Sequence, residues 1–233
     1  MKLHRFIGNF DFSKKEVEIA NPENIKQIKD VLRLQIGEKI ILSDGKGNEA
    51  EVTITSLSKN KIIGELKKIE RKKEMTRKVS LYLAILKKEN FELATQKAVE
   101  CGVSNITPIV TERTIKTGLN IARLEKIILE ASEQSGRSIV PTLSPILNFK
   151  DALTAGKDSE EKIIFHVDQK NNLYSPNKKV ENINIFIGPE GGFTEKEINL
   201  AKENGYTVAS LGPLTLRGET AGIVASYRAV SGI

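Results

Sequence analysis

One cysteine, Cys101, and two histidines, His4 and His166, are the chain's whole supply of soft metal ligands and disulfide partners. A lone cysteine excludes an internal disulfide framework and agrees with a reducing compartment. So small a stock gives no basis for a zinc site, and no metal is expected. Cys101 is also badly placed for a nucleophile. It falls at an expected helix C-terminus, where the dipole disfavours a thiolate. Long apolar runs are missing too. None approaches the length of a membrane span, and the N-terminal MKLHRFIGNF lacks the apolar core of a secretory signal. A cytoplasmic protein without membrane contact is the expectation. Both common phosphate-loop patterns are absent. There is no GxxxxGK[ST], and GPEGG at residues 188–192 is not GxGxxG. Triphosphate chemistry and a nicotinamide-dependent dehydrogenase are thereby disfavoured.

What is present is a globular complement, 39% hydrophobic over 233 residues, with a net charge of +6. A basic balance suits a polyanionic partner such as RNA. Two domains are expected, at 1–72 and 73–233. In the first, strand-like segments at 39–43 and 49–56 flank the turn DGKGN, and a third at 61–68 follows Lys59-Asn60. A short helix over 24–34 would place Ile25, Ile28, Val31 and Leu32 on one face. Closely spaced strands with little helix describe a small β-barrel. The boundary is set near Glu74, inside the basic stretch KKIERKKEMTRK at 67–78. That stretch reads either as a phosphate-binding segment or as a solvated linker. No aromatic is interleaved, so base stacking is not expected of it.

From residue 79 onward, strands alternate with helices, the mark of a largely parallel α/β sheet. Apolar runs at 79–86, 103–110 and 163–167 read as buried strands. Residues 90–101 fit a helix with Phe91, Ala94 and Ala98 on one face and Gly102 as its stop; 120–135 fit a second, through Ile121, Leu124, Ile128 and Ala131. The last fifth organises the rest. A strand at 183–187 stops at GPEGG, and Thr194 and Glu197 have the spacing of a capping box. The helix that follows fades at Asn204-Gly205. A short strand at 207–211 runs into Gly212-Pro213, then LTLRG, then a helix of small residues over 219–230. Ligands of open α/β sheets sit beyond the carboxyl ends of strands, and glycines let main-chain groups approach them closely. The acid at Glu190, with no lysine in its loop, points away from a triphosphate and toward a ligand read by main-chain hydrogen bonds.

GPEGGFTEKEI followed by LGPLTLRGETA resembles the motif pair of the RsmE family, within the SPOUT superfamily of knotted RNA methyltransferases. HRF at 4–6, VLR at 31–33, QKAVECGV at 96–103, TERT at 111–114 and EASEQSGR at 130–137 extend the resemblance to both halves. Many members carry a histidine shortly before VLR. Here that stretch reads QIKD, so a role for that histidine does not transfer.

The resemblance implies an α/β fold: a PUA-like β-barrel followed by a deeply knotted, mostly parallel domain. It implies a homodimer that uses S-adenosylmethionine to methylate N3 of a uridine in 16S ribosomal RNA, within the small subunit. It places the cofactor among His166, Ile187, Gly188, Glu190, Gly191, Gly192, Leu211, Gly212, Leu214, Leu216, Arg217 and Thr220. Arg217 and Glu219 are the catalytic candidates, with Thr220 as a possible cap of the last helix. Arg5, Arg33, Arg113 and Arg137 are the RNA-contact candidates. Glu100, Glu130 and Gln134 are expected in apolar surroundings, the two glutamates with a structural role. Two alternatives stay open: a SPOUT methyltransferase acting on another ribosomal or transfer RNA position, and a non-catalytic RNA-binding module of ribosome assembly.

Overall fold

The computed structural model describes residues 3–73, 75–115, 117–167 and 172–233. Glu74, where the sequence boundary falls, and the residues just after Val167 lie outside them. The chain divides into two compact units. The first is Met1–Glu74 with Ser132–Val140, and the second is Met75–Ala131 with Pro141–Ile233.

The first unit holds β1 (His4–Ile7), β2 (Glu16–Ile19), α1 (Pro22–Lys26), β3 (Lys39–Ser43), β4 (Asn48–Leu57) and β5 (Ile62–Arg71), in one sheet of order β1-β3-β4-β5-β2. Only β1 and β3 run parallel. Asn21 caps α1 by accepting the N–H groups of Glu23 and Asn24 at 2.8 and 3.2 Å, with Pro22 at the first helical position. A π-helical turn at Gln27–Val31 continues it. Ile25 and Ile28 enter the core formed around Phe6, Ile40, Leu42 and Val52. Val31 does not. It is 66% exposed, because the π turn is wider than 3.6 residues per turn and rotates it off the apolar stripe.

Residues 132–140 join this unit through main-chain bonds to the β3–β4 turn. Gly47 N–H donates to the Ser138 carbonyl at 3.0 Å and Val140 N–H to that of Gly45 at 2.9 Å. Glu133 accepts the Ile7 N–H at 2.7 Å. The basic stretch at 67–78 begins as structure rather than linker, since β5 carries it through Arg71. There Lys68 and Lys72 both pair with Glu70 and hold its carboxyl down at about 2.

The second unit is a parallel sheet of order β12-β10-β11-β6-β7-β8, with β9 also paired to β7. Its strands are β6 (Lys78–Ala84), β7 (Asn105–Val110), β8 (Thr142–Leu143), β9 (Leu147–Asn148), β10 (Glu161–Phe165), β11 (Asn182–Ile187) and β12 (Thr207–Ala209). Its helices are α2 (Lys88–Cys101), α3 (Ile121–Ser135, whose last residues belong to the first unit), α4 (Phe149–Ala155), α5 (Glu195–Glu203) and α6 (Gly218–Ser231). Because strand side chains alternate, Tyr82, Ile164, Phe186 and Val208 face α4 and α5. Phe186 stacks on Tyr82 at 4.3 Å and meets Phe149 and Tyr206 edge-on. The other face carries α2 and α6. A Cβ at Gly222 would touch Leu83 and Ala94 at 3.6 and 3.8 Å, so the small residues of α6 let it lie close to both β6 and α2.

Strand β11 lies between β6 and β10, which places a topological switch at the carboxyl ends of these strands. Glu100, Glu130 and Gln134 prove exposed rather than set among apolar groups, and Glu100 pairs with Lys97 at 2.8 Å. Gly102 ends α2 at φ +103, where a Cβ would sit 3.0 Å from both Met75 Sδ and Val230 Cγ1. Gly102→Ala combines a left-handed penalty with this crowding and is expected to cost about 1–2 kcal/mol, read as a lower urea midpoint at unchanged slope.

Candidate active site

Five loops at the carboxyl ends of the strands enclose a cavity of about 600 Å³ in the second unit. Its wall contains His166, Ile187, Gly188, Glu190, Gly191, Gly192, Leu211, Gly212, Leu214, Leu216, Arg217 and Glu219. Arg113 also lines it. Thr220 is absent from the wall, and it does not cap α6 either. Arg217 is the N-cap, without a side-chain bond, and its carbonyl accepts the Ala221 N–H at 2.8 Å.

The loop after β11 is built by its glycines. Gly188 brings the chain against buried Phe193, where a Cβ would stand 3.1 Å from the ring. Gly192 adopts φ +68 and donates its N–H to the Pro189 carbonyl at 2.8 Å, closing a tight turn. Glu190 turns back to accept the Lys87 N–H at 3.2 Å. Thr194 and Glu197 form a complete capping box at the start of α5. After β12, Ser210 is tied on both sides: its N–H donates to the Asn172 carbonyl at 2.8 Å, and its own carbonyl accepts the Tyr174 N–H at 2.9 Å.

The start of α6 closes the wall. Gly218 is required by close approach, since a Cβ there would meet Leu86 at 2.8 Å. Arg217 is exposed and has no side-chain partner among the described residues. Glu219 is 8% exposed, and its Oε2 is buried without a hydrogen-bond partner; the Ser210 hydroxyl is in the same condition. Two orphaned polar groups in one cavity wall are what a site for a polar ligand leaves when seen alone. Gly192 and Gly212 supply the complement. A Cβ at either meets nothing within 4 Å, so side chains there would fill ligand space rather than protein.

Lys87, Asn90, Phe165, Phe193, Ser210 and Gly218 also line the cavity and were not expected from the sequence. Cys101 stays outside it, and burial pushes its thiol pKa up, which does not favour a nucleophile. Of the RNA candidates, Arg113 stands at the cavity, its Nη1 donating to the Gly191 carbonyl at 2.7 Å. The other three lie in the first unit. Arg5 is committed to Glu49, and its burial lowers its pKa. Arg33 is exposed and holds φ +54, the one non-glycine residue at positive φ among those described. Arg137 donates to the Ile139 carbonyl at 3.2 Å.

Comparison with known proteins agrees with this geometry. Residues 72–229 match the family described as an RNA methyltransferase domain, and residues 21–67 match an RNA methyltransferase PUA domain. A Rickettsia conorii protein named ribosomal RNA small subunit methyltransferase E is 31% identical over 97% of this chain and 94% of its own. A Neisseria gonorrhoeae enzyme of the same name, solved bound to S-adenosyl methionine, superposes with a TM-score of 0.85 at 32% identity, covering 97% of this chain and 95% of its own. A Legionella pneumophila methyltransferase in complex with the same cofactor gives 0.88 at 28% identity, covering 97% and 96%. A family match over more than half the chain, together with a near full-length relative, places this protein in the RsmE family of RNA methyltransferases.

Proposed function

We propose that this protein methylates N3 of a uridine in 16S ribosomal RNA, using S-adenosylmethionine held in the glycine-lined cavity. The observation that carries the reading is the pairing, two residues apart on one wall, of an exposed Arg217 without a side-chain partner among the described residues and a buried Glu219 with an orphaned oxygen. S-adenosylmethionine supplies a sulfonium methyl group activated for displacement.

The chain's residues must then do three things. Main-chain groups of residues 188–192 and 211–217 orient the ligand, and Leu211, Leu214 and Leu216 give it apolar walls. Arg217 places a guanidinium where negative charge spreads onto the uracil carbonyl oxygens as the N3 proton leaves. Glu219, inside the wall, accepts that proton or fixes the base edge.

Around this centre we assign 1–72 as a PUA-like barrel that holds RNA and 73–233 as the methyl-transferring domain. Arg33 of that barrel and Arg137, from residues 132–140 that join the first unit, make the phosphate contacts, since Arg5 is spent on Glu49. In the second domain, this reading takes the C-terminus as threaded and knotted. The working form in this reading is a homodimer acting on the small subunit.

The test is transfer of labelled methyl from S-adenosylmethionine to small subunits lacking the modification, with naked ribosomal RNA and transfer RNA alongside and the product identified by mass spectrometry. N3-methyluridine in the small subunit is expected. Another methylated nucleotide, or transfer only to transfer RNA, would favour a different target. Cofactor binding without any transfer would move the question to the substrate, and no cofactor binding at all would favour the assembly-module reading.

A further inference from the structure

The carboxylate of Glu197 does more than its helix requires. It is 7% exposed, and both oxygens are committed to main-chain N–H groups. Oε2 accepts from Thr194 at 2.9 Å, which completes the capping box. Oε1 crosses to a different loop and accepts from Glu112 at 2.9 Å. A capping box uses only one of these bonds. The second fixes the turn at 111–114, which is also closed on itself by the Thr114 hydroxyl accepting the Thr111 N–H at 2.9 Å.

Arg113 leaves that turn and reaches the cavity. Its Cδ and Cβ lie 3.4 and 3.5 Å from where a Gly191 side chain would begin, and its Nη1 holds the Gly191 carbonyl at 2.7 Å. The N–H at the other end of the same peptide unit, that of Gly192, is held by Pro189 at 2.8 Å. A peptide between two glycines has no side-chain sterics to set its orientation and flips cheaply. Arg113 and Pro189 therefore decide which way this cavity-lining peptide faces.

We propose that Glu197 is a positioning residue for cofactor binding: by anchoring the turn that carries Arg113, it locks the Gly191–Gly192 peptide in the orientation that S-adenosylmethionine meets. The inference rests on the proposed cofactor reading of the cavity.

Glu197→Gln separates the two roles of the carboxylate. Glutamine serves in capping boxes, but its single oxygen cannot also accept the Glu112 N–H. The thermal midpoint of E197Q should fall by only about 2–4 °C, for the one main-chain bond lost. Its Kd and KM for S-adenosylmethionine should rise roughly three- to tenfold, the worth of one lost hydrogen bond, while kcat at saturating cofactor changes less than about twofold. R113A should show a similar or larger rise, and the double variant should be no worse than R113A alone. E197Q with wild-type affinity, or effects of the two changes that multiply, overturns the proposal. If the wild-type protein itself fails to bind S-adenosylmethionine in calorimetry, the cofactor reading falls and takes the proposal with it; wild-type binding with an unaltered E197Q removes the proposal alone.

Discussion

Arg217→Ala is expected to lower kcat by roughly a hundred- to a thousandfold, the effect of deleting one preorganised donor from developing negative charge, or about 2.7–4 kcal/mol. Cofactor affinity should move little. The substitution leaves the main chain of residue 217 in place, and it is the carbonyl there that accepts the Ala221 N–H and starts α6. The side chain is exposed and makes no ion pair among the described residues, so its loss strands no buried partner and the fold should not notice. Arg217→Lys restores charge without the planar fork and should recover only part of the rate. Single-turnover methyl transfer beside calorimetric cofactor binding separates the terms. An R217A protein with unchanged chemistry but weakened self-association would instead assign the arginine to a subunit contact.

Glu219→Gln should lose activity and gain stability together. If the carboxylate receives the N3 proton, the loss is roughly a hundred- to ten-thousandfold. The stability argument sets two effects against each other. A negative charge in the first turn of α6 gains about 0.3–1 kcal/mol from the helix dipole. Keeping a charged oxygen buried without a partner costs more than the about 1–3 kcal/mol of a neutral group, and the amide, itself unpartnered there, sheds that excess. The second is larger, so the neutral amide should raise the melting temperature by about 2–4 °C. A protein that is both slower and more stable marks a group kept for function at a structural cost. A slower protein of lower melting temperature would make Glu219 a packing element. Full activity would remove it from the mechanism.

Local signals in the sequence were legible where neighbours in sequence are neighbours in space. Thr194 and Glu197 are three residues apart, and the capping box they promise is present. Gly102 stops α2, and the apolar runs at β6 and β11 are buried as expected; the run at 163–167 is buried only as far as Phe165, where β10 ends, and Val167 is exposed. The two glycine loops meet at one cavity because both follow strands of one parallel sheet.

What stayed hidden depends on contacts made at a distance. Strand β1 is four residues long and gains its identity by pairing His4 with Ile40. Residues 132–140 reach Gly45 and Gly47 through main-chain bonds, which leave no periodicity to detect. Lys87 reaches the cavity from the β6–α2 loop and Phe165 from the end of β10, and neither place carries a glycine motif. Helix α4 stays hidden although Asn148 and Asp151 bracket its start, because seven residues make barely two turns, too short a window for the i, i+3, i+4 spacing of Phe149, Ala152 and Leu153 to stand out. Glu197 was legible as a cap, but the use of its second oxygen requires Glu112 to be 2.9 Å away.

The aromatic cluster around Phe186 has an optical consequence. The chain has no tryptophan, and its four tyrosines, Tyr82, Tyr174, Tyr206 and Tyr227, all belong to the second unit. Three of them are buried, and burial pushes each of those phenols up, so they remain protonated and absorb as phenol well into alkaline solution. The first unit contributes only phenylalanines to the ultraviolet spectrum. Near-ultraviolet tyrosine signals therefore report the methyl-transferring unit alone, against a background in which its companion is nearly silent, and a single tryptophan placed in the first unit would give each unit its own colour.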